Sequence, residues 1–218
     1  MQLTAHRGFA DEFPENTLAA VQAATRVADE IEIDVRRCGS GELVVFHDET
    51  LDRVTDAEGP VTDWSLEELR TVSVLGTDER IPTLSETIDL VPSDVRLNVE
   101  LKDAEIAADA VDVVSGADCP ILFSSFLPDA IEQVTETSDH QTALIFREQP
   151  DVNVERAVEL GCERIHPKWW LVLRPRLVRR ANDRGLSVHA WTIHHRVTAR
   201  LLRRRGVDGV IADRSVVV

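Results

Sequence analysis

Glu32 and Asp34 stand two residues apart in the run Glu30-Ile31-Glu32-Ile33-Asp34-Val35, where the alternate positions are β-branched and apolar. In an extended strand a spacing of two sets both carboxylates on one face. A charge carried into an apolar strand has to be neutralised, paired or placed on a metal. The device recurs at Asn98-Val99-Glu100-Leu101-Lys102, and His6 and His47 close the apolar stretches 1–5 and 43–46. Glu32, Asp34 and Glu100 offer oxygen only, with no cysteine beside them, a donor set that suits one hard divalent cation, Mg²⁺ or Ca²⁺ with Mn²⁺ as an alternative, better than structural zinc. Ion pairs to Arg7 and Lys102 are the competing use of the same acids. Three acids against two bases leave one negative charge over.

Residues placed in this way need rigid strands behind them. Strand-like runs fall at 2–6, 30–35 (followed after Gly39-Ser40-Gly41 by 43–47), 95–101, 121–124, 142–146, 164–166, 187–191 and 209–211. Helix-period stretches at 18–28, 105–114, 128–137, 153–160, 173–184 and 197–205 alternate with them, the last three each stopping at a glycine. That alternation is the signature of parallel β/α units, and the count is close to eight. With neither Gly-x-Gly-x-x-Gly nor a P-loop present, a closed (β/α)8 TIM barrel of the α/β class is expected rather than an open doubly wound sheet. Residues 48–91 break the rhythm: they are rich in Asp, Glu, Thr and Gly, with short helical signals only at 65–69 and 85–90. This segment reads as a small insertion after the second strand region, with too few apolar residues for a core of its own. One domain over residues 1–218 is therefore expected. Barrel active sites lie at the carboxyl ends of the strands, where His6, Asp34, His47, Glu100 and Trp191 are all expected.

Composition narrows the function. A net charge of -15, from 39 acidic against 24 basic residues, argues against nucleic acid as a partner. Lys102 and Lys168 are the only lysines, and an acid-rich, lysine-poor chain fits a halophilic protein, with an arginine-biased genome as the other account of the lysine loss. The two lysines mark positions that need a compact ammonium rather than a planar fork. No apolar run approaches the ~20 residues of a transmembrane segment. The amino terminus lacks a signal-peptide pattern, and Cys38, Cys119 and Cys162 are scattered, so a cytoplasmic protein is expected.

Several short motifs occur in a fixed order. They are His6-Arg7-Gly8, Pro14-Glu15-Asn16-Thr17, Glu32-Ile33-Asp34, His47-Asp48, Asn98 to Lys102, Ser125-Phe126, Trp191-Thr192 and Gly206-Val207-Asp208-Gly209. In these the chain resembles the glycerophosphodiester phosphodiesterase family over nearly its whole length. The resemblance implies a TIM-barrel phosphoric diester hydrolase that converts a small-molecule glycerophosphodiester to glycerol phosphate and an alcohol. It implies a divalent metal on Glu32, Asp34 and Glu100, His6 and His47 as catalytic acid and base, and Arg7 and Lys102 on the phosphate. An anionic diester repels nucleophiles, so positive charge must meet its non-bridging oxygens. Imidazoles suit proton transfer near neutrality. The favoured route has a glycerol hydroxyl attack first, giving a cyclic phosphate, with His6 nearest the glycerol and His47 protonating the leaving alcohol.

Around this set, Glu15 and Asn16 are expected to orient the His6 loop or cap the first helix, and Trp191 to pack on the glycerol moiety. Lys168 could reach the phosphate or solvent. The family commonly has Asn after Trp-Thr-Val; here Trp191-Thr192-Ile193 leads into His194-His195, an extra imidazole near the rim. Two other readings stand beside the main one. One is a related diesterase acting on lysophospholipids or cyclic or inositol diesters; the other is a non-catalytic barrel that binds sugar phosphates.

Overall fold

Eight of the apolar runs pair side by side in parallel and close on themselves. The computed structural model describes every residue of the 218 except Pro175 and Val218. Its strands are β1 (Gln2–His6), β2 (Glu30–Arg37), β3 (Leu43–Val45), β4 (Arg96–Leu101), β5 (Ile121–Ser125), β6 (Gln141–Phe146), β7 (Arg164–Pro167), β8 (Ser187–Ile193) and β9 (Gly209–Ala212). The order β1-β9-β8-β7-β6-β5-β4-β2 is closed by the β1–β2 pairing, so the ring is a (β/α)8 barrel. The helices are α1 (Leu18–Ala24), α2 (Leu66–Leu69), α3 (Leu84–Ile88), α4 (Ala107–Val114), α5 (Pro128–Thr137), α6 (Pro150–Glu159), α7 (Leu177–Asn182) and α8 (Arg196–Arg204). Among the described residues no helix is long and apolar enough to cross a membrane.

Local chemistry sets the element ends. Thr17 caps α1 by accepting from the Ala20 amide, and capping boxes at Ser65/Glu68 and Thr83/Glu86 open α2 and α3. Pro128 and Pro150 stand in the first turns of α5 and α6, where a missing N–H costs nothing. Proline thus starts α6 three residues before the predicted 153. The predicted helix 173–184 shortens to α7 because Trp169–Leu173 forms its own 3₁₀ turn. Of that predicted span, Pro175 lies outside the described residues.

One expectation is corrected and one is refined. The run 43–47 does not extend the barrel: β2 turns through residues 38–42 and β3 returns antiparallel along its outer end, Val45 opposite Val35. His47 therefore follows a hairpin rather than ending a barrel strand. The segment 48–91 does bury an apolar cluster apart from the barrel core. Leu51, Val54, Val61, Leu69, Val74 and Ile81 pack there with Cys38, Val44 and Phe46. Too few in the segment alone, these side chains complete a small core by borrowing residues from the β2–β3 hairpin.

The barrel interior is unusually polar. Near its amino-terminal end Glu30 accepts from Thr4 Oγ1 at 3.0 Å and from Arg164 Nη1 at 2.8 Å, a buried pair reaching from β2 across to β7. Above it the buried His166 and His189 rings lie 5.8 Å apart, centroid to centroid. A Cβ on Gly209 would stand 2.3 Å from His189 Nδ1, so β9 has to carry glycine there. Burial, with Arg164 and the amino terminus adding to it, pushes His189 down to about 3 from 6.5. His166 is lowered in the same sense, by burial and then by His189 and Arg164.

The folded chain thus refuses protons that the unfolded chain binds. The stability due to His189 is complete above its unfolded pKa near 6.5 and falls as the pH drops toward 3, by about 1.4 kcal/mol per pH unit. Urea unfolding between pH 7 and 5 is expected to show this loss, and His189→Gln a shallower one. Equal slopes would contradict the buried neutral histidine.

Candidate active site

Strand register levels the carboxylates. Asp34 lies opposite Glu100 across β2 and β4, and Glu32 lies level with His6 on β1 and Asn98 on β4. The three acids are buried, and one oxygen of each lies within 4.8 Å of the others. Ile31, Ile33 and Val35 point the other way, into the apolar layer under the helices. Period-two alternation therefore does here what the sequence requires of it.

Cations meet part of this charge. Lys102 Nζ lies 2.6 Å from Asp34 Oδ1 and pairs also with Glu100. Arg7 Nε is 3.1 Å from Asp34 Oδ2 and its Nη1 2.8 Å from Glu15. The competing ion-pair reading is thus realised in part, but Glu32 is left out of it. Its Oε2 accepts only the Arg7 amide at 2.9 Å, and its buried Oε1 has no partner among the described residues. Burial, with Asp34 and Glu100 beside it, pushes the Glu32 carboxyl well above its ordinary range. Glu100 is raised as well, by burial and by Asp34, against the pull of Lys102. Asp34 goes the other way: burial opposes it, yet Lys102 and Arg7 together hold its carboxyl below the usual range. An orphaned buried oxygen among three oxygen-only donors fits a hard divalent cation.

The loop after β1 is shaped to serve these groups. Arg7 adopts φ 51° and Gly8 φ 75°, which turns the Arg7 amide onto Glu32. At Gly8 a side chain would meet the Ala20 backbone at 2.7 Å, so the loop lies flat on α1. Asn16, also left-handed at φ 59°, clasps Asp34: its amide donates to Oδ2 at 2.8 Å and its Oδ1 accepts the Asp34 N–H at 3.2 Å. Glu15 holds Arg7, in the loop after His6, together with Arg53, and the cap of α1 is Thr17.

Each histidine is set by its own acid. His6 Nδ1 faces Asp213 Oδ1 at 2.5 Å, and His47 Nδ1 faces Asp48 Oδ1 at 2.5 Å. Asp48 is steadied in turn by Arg53. An Nδ1–H given to a carboxylate leaves Nε2 as the basic nitrogen. Burial lowers the His47 pKa, Lys102 and Arg7 adding to it against Asp34 and Asp48. Phe46 donates to the Asp34 carbonyl at 2.9 Å, which brings the β2–β3 hairpin back over the mouth and His47 with it.

His6, Arg7, Glu32, His47, Glu100 and Lys102 line one cavity. Its far wall holds Trp191, whose Nε1 donates to the His166 carbonyl at 2.7 Å. Asp213 was missed by motif reading, although an acid directly after the apolar run 209–212 repeats the strand-end pattern of His6. The extra imidazole, His194, reaches the same acid: its Nδ1 lies 3.1 Å from Asp213 Oδ2. Asn98 and His166, buried and with no side-chain hydrogen bond among the described residues, and Arg147 of the far wall were missed as well.

Comparison with known proteins agrees with this geometry. The model of the glycerophosphoryl diester phosphodiesterase family matches residues 6–217. A glycerophosphodiester phosphodiesterase of Caldanaerobacter subterraneus subsp. tengcongensis is 31% identical over 225 residues, which cover 96% of this chain and 92% of that protein. The structure of an Oleispira antarctica phosphodiesterase in complex with the product sn-glycerol-3-phosphate superposes with a TM-score of 0.91 at 32% identity, covering 98% of this chain and 93% of that one. A glycerophosphodiester phosphodiesterase from Thermotoga maritima gives 0.87 at 26% identity, over 99% and 95% of the two chains.

Lys102 bridges two buried carboxylates, so removing it leaves Glu100 without a cation and Asp34 with Arg7 alone. In chelator, Lys102→Met is expected to lose about 3–5 kcal/mol of unfolding free energy in urea. A loss below about 1 kcal/mol, the scale of a surface pair, would contradict the bridge.

Proposed function

The chain belongs to the glycerophosphoryl diester phosphodiesterase family and is an enzyme of that class; from this premise we propose that it hydrolyses glycerophosphodiesters to glycerol phosphate and an alcohol, with one divalent cation and two histidines. One observation carries the reading. Two imidazoles, each with Nδ1 held by its own aspartate, line the same cavity as a carboxylate trio that has one oxygen to spare.

Glu32, Asp34 and Glu100 would hold the cation, Mg²⁺ or Ca²⁺ with Mn²⁺ as the alternative. When bound, it supplies positive charge to a non-bridging phosphate oxygen. Lys102 and the Arg7 Nη2, which makes no hydrogen bond among the described residues, add positive charge on the same wall. Asp213 keeps His6 in the tautomer that presents Nε2, and Asp48 does the same for His47.

His6 Nε2 takes the proton of the glycerol hydroxyl next to the ester as that oxygen bonds to phosphorus. His47, protonated, gives its proton to the alcohol oxygen as the P–O bond breaks. The products of this step are a cyclic phosphate and the alcohol. Water then opens the cycle with the proton roles reversed, leaving glycerol phosphate. Lysophospholipids and inositol diesters remain as other substrates for the same machinery, separated by the alcohol each releases.

Turnover of a panel of glycerophosphodiesters is expected to vanish with EDTA and to return with one of Mg²⁺, Ca²⁺ or Mn²⁺, measured at low and at molar salt. His6→Ala and Glu100→Gln are each expected to lower kcat at least about 100-fold while remaining folded by circular dichroism. Full activity in chelator would remove the metal from the reading. Binding of glycerol phosphate without turnover under every condition would favour the non-catalytic barrel.

A further inference from the structure

Across the ring from β1 and β2 stand β6 and β7, because four steps separate β2 from β7, and β1 from β6, in an eight-strand barrel. The residues just beyond these two strands are both cations. Arg147 follows β6 and Lys168 follows β7, and both line the cavity. In a chain with 39 acidic side chains against 24 basic ones, neither makes an ion pair or a side-chain hydrogen bond with any described residue. They rest instead on aromatic faces. Arg147 Cζ lies 4.9 Å from the centroid of Phe126, and Lys168 Nζ lies 4.1 Å from that of Trp191 and 5.2 Å from that of Trp170. Phe126 and Trp191 meet edge to face at 5.4 Å, so the cations and rings form one continuous wall.

Three aromatic rings on a pocket wall ordinarily suit a quaternary ammonium group. Here the protein's own cations lie over all three. A cationic alcohol would have to displace them and face two like charges, a repulsive element that excludes it. An anion would meet the planar fork of Arg147 and the point charge of Lys168.

We propose that Arg147 and Lys168 form an anion subsite for the leaving alcohol, so that the preferred substrate is a glycerophosphodiester whose alcohol carries a phosphate or carboxylate. This rests on the hydrolase reading above. The scissile phosphate sits at the β1/β2 wall and the second anion at the β6/β7 wall, with the aromatic rings of Phe126 and Trp191 beside the alcohol chain. Trp191 accordingly holds Lys168 as well as flanking the substrate.

Initial rates at one ionic strength would compare glycerophosphocholine, glycerophosphoglycerol and a glycerophosphoglycerol bearing a terminal phosphate. The terminal phosphate is expected to raise kcat/KM over that of glycerophosphocholine by about tenfold or more. Lys168→Arg should keep the preference, R147M/K168M should bring the ratio toward one, and Lys168→Glu should invert it. A wild-type ratio at or below one, or a ratio unmoved in R147M/K168M, overturns the subsite. If none of the three is turned over, the hydrolase reading falls. The calorimetric affinities of wild type and R147M/K168M for the same three compounds then still decide the subsite.

Discussion

The ammonium of Lys102 lies between two buried carboxylates, 2.6 Å from Asp34 and paired with Glu100, while a third, Glu32, keeps one oxygen without a partner. Oxygens of like charge within 4.8 Å repel by about 3 kcal/mol per pair at an effective dielectric near 20. Two cations cannot quiet three such groups when Arg7 is shared with Glu15. The excess charge is the constraint to which the mouth of the barrel is built. It accounts for the left-handed Arg7 that turns a peptide N–H onto Glu32, and for the Asn16 side chain that clasps Asp34.

From that constraint the cavity divides. On the β1, β2 and β4 side stand the acids with their compact cation, and beside them two imidazoles oriented by Asp213 and Asp48. On the β6 and β7 side two cations rest on aromatic rings and form no ion pair among the described residues. One wall is short of positive charge and the other carries it without an ion pair among the described residues. A ligand with a phosphate at one end and a second anion at the other would satisfy both walls. The closed ring makes this possible, since strands four steps apart in order face each other across the lumen.

Much of the barrel was legible because parallel strands and their helices follow simple periods. Glu32 and Asp34 were readable as neighbours from a spacing of two, and Gly161, Gly185 and Gly206 marked helix ends where φ is indeed positive. What was hidden depended on distance or direction. Asp213 meets His6 from 207 residues away, and nothing local in the sequence pairs them. The run 43–47 looked like part of a barrel strand because its apolar content is the same in either direction, yet it returns antiparallel and places His47 by a hairpin. The small core of 48–91 was invisible from that segment alone because Cys38, Val44 and Phe46, outside it, complete it. Lys168 stood out only as one of two lysines able to reach the phosphate or solvent and Arg147 not at all, and only their placement on two neighbouring strand ends joins them.

The most direct test of the carboxylate trio is calorimetric titration of the metal-free protein with Mg²⁺, Ca²⁺ and Mn²⁺, repeated on Glu32→Gln. One site per chain is expected for at least one of these cations, and the variant should lose it while unfolding as cooperatively as wild type. Binding of equal affinity in the variant, or no binding of any of the three by the wild type, would contradict a metal site built on Glu32, Asp34 and Glu100.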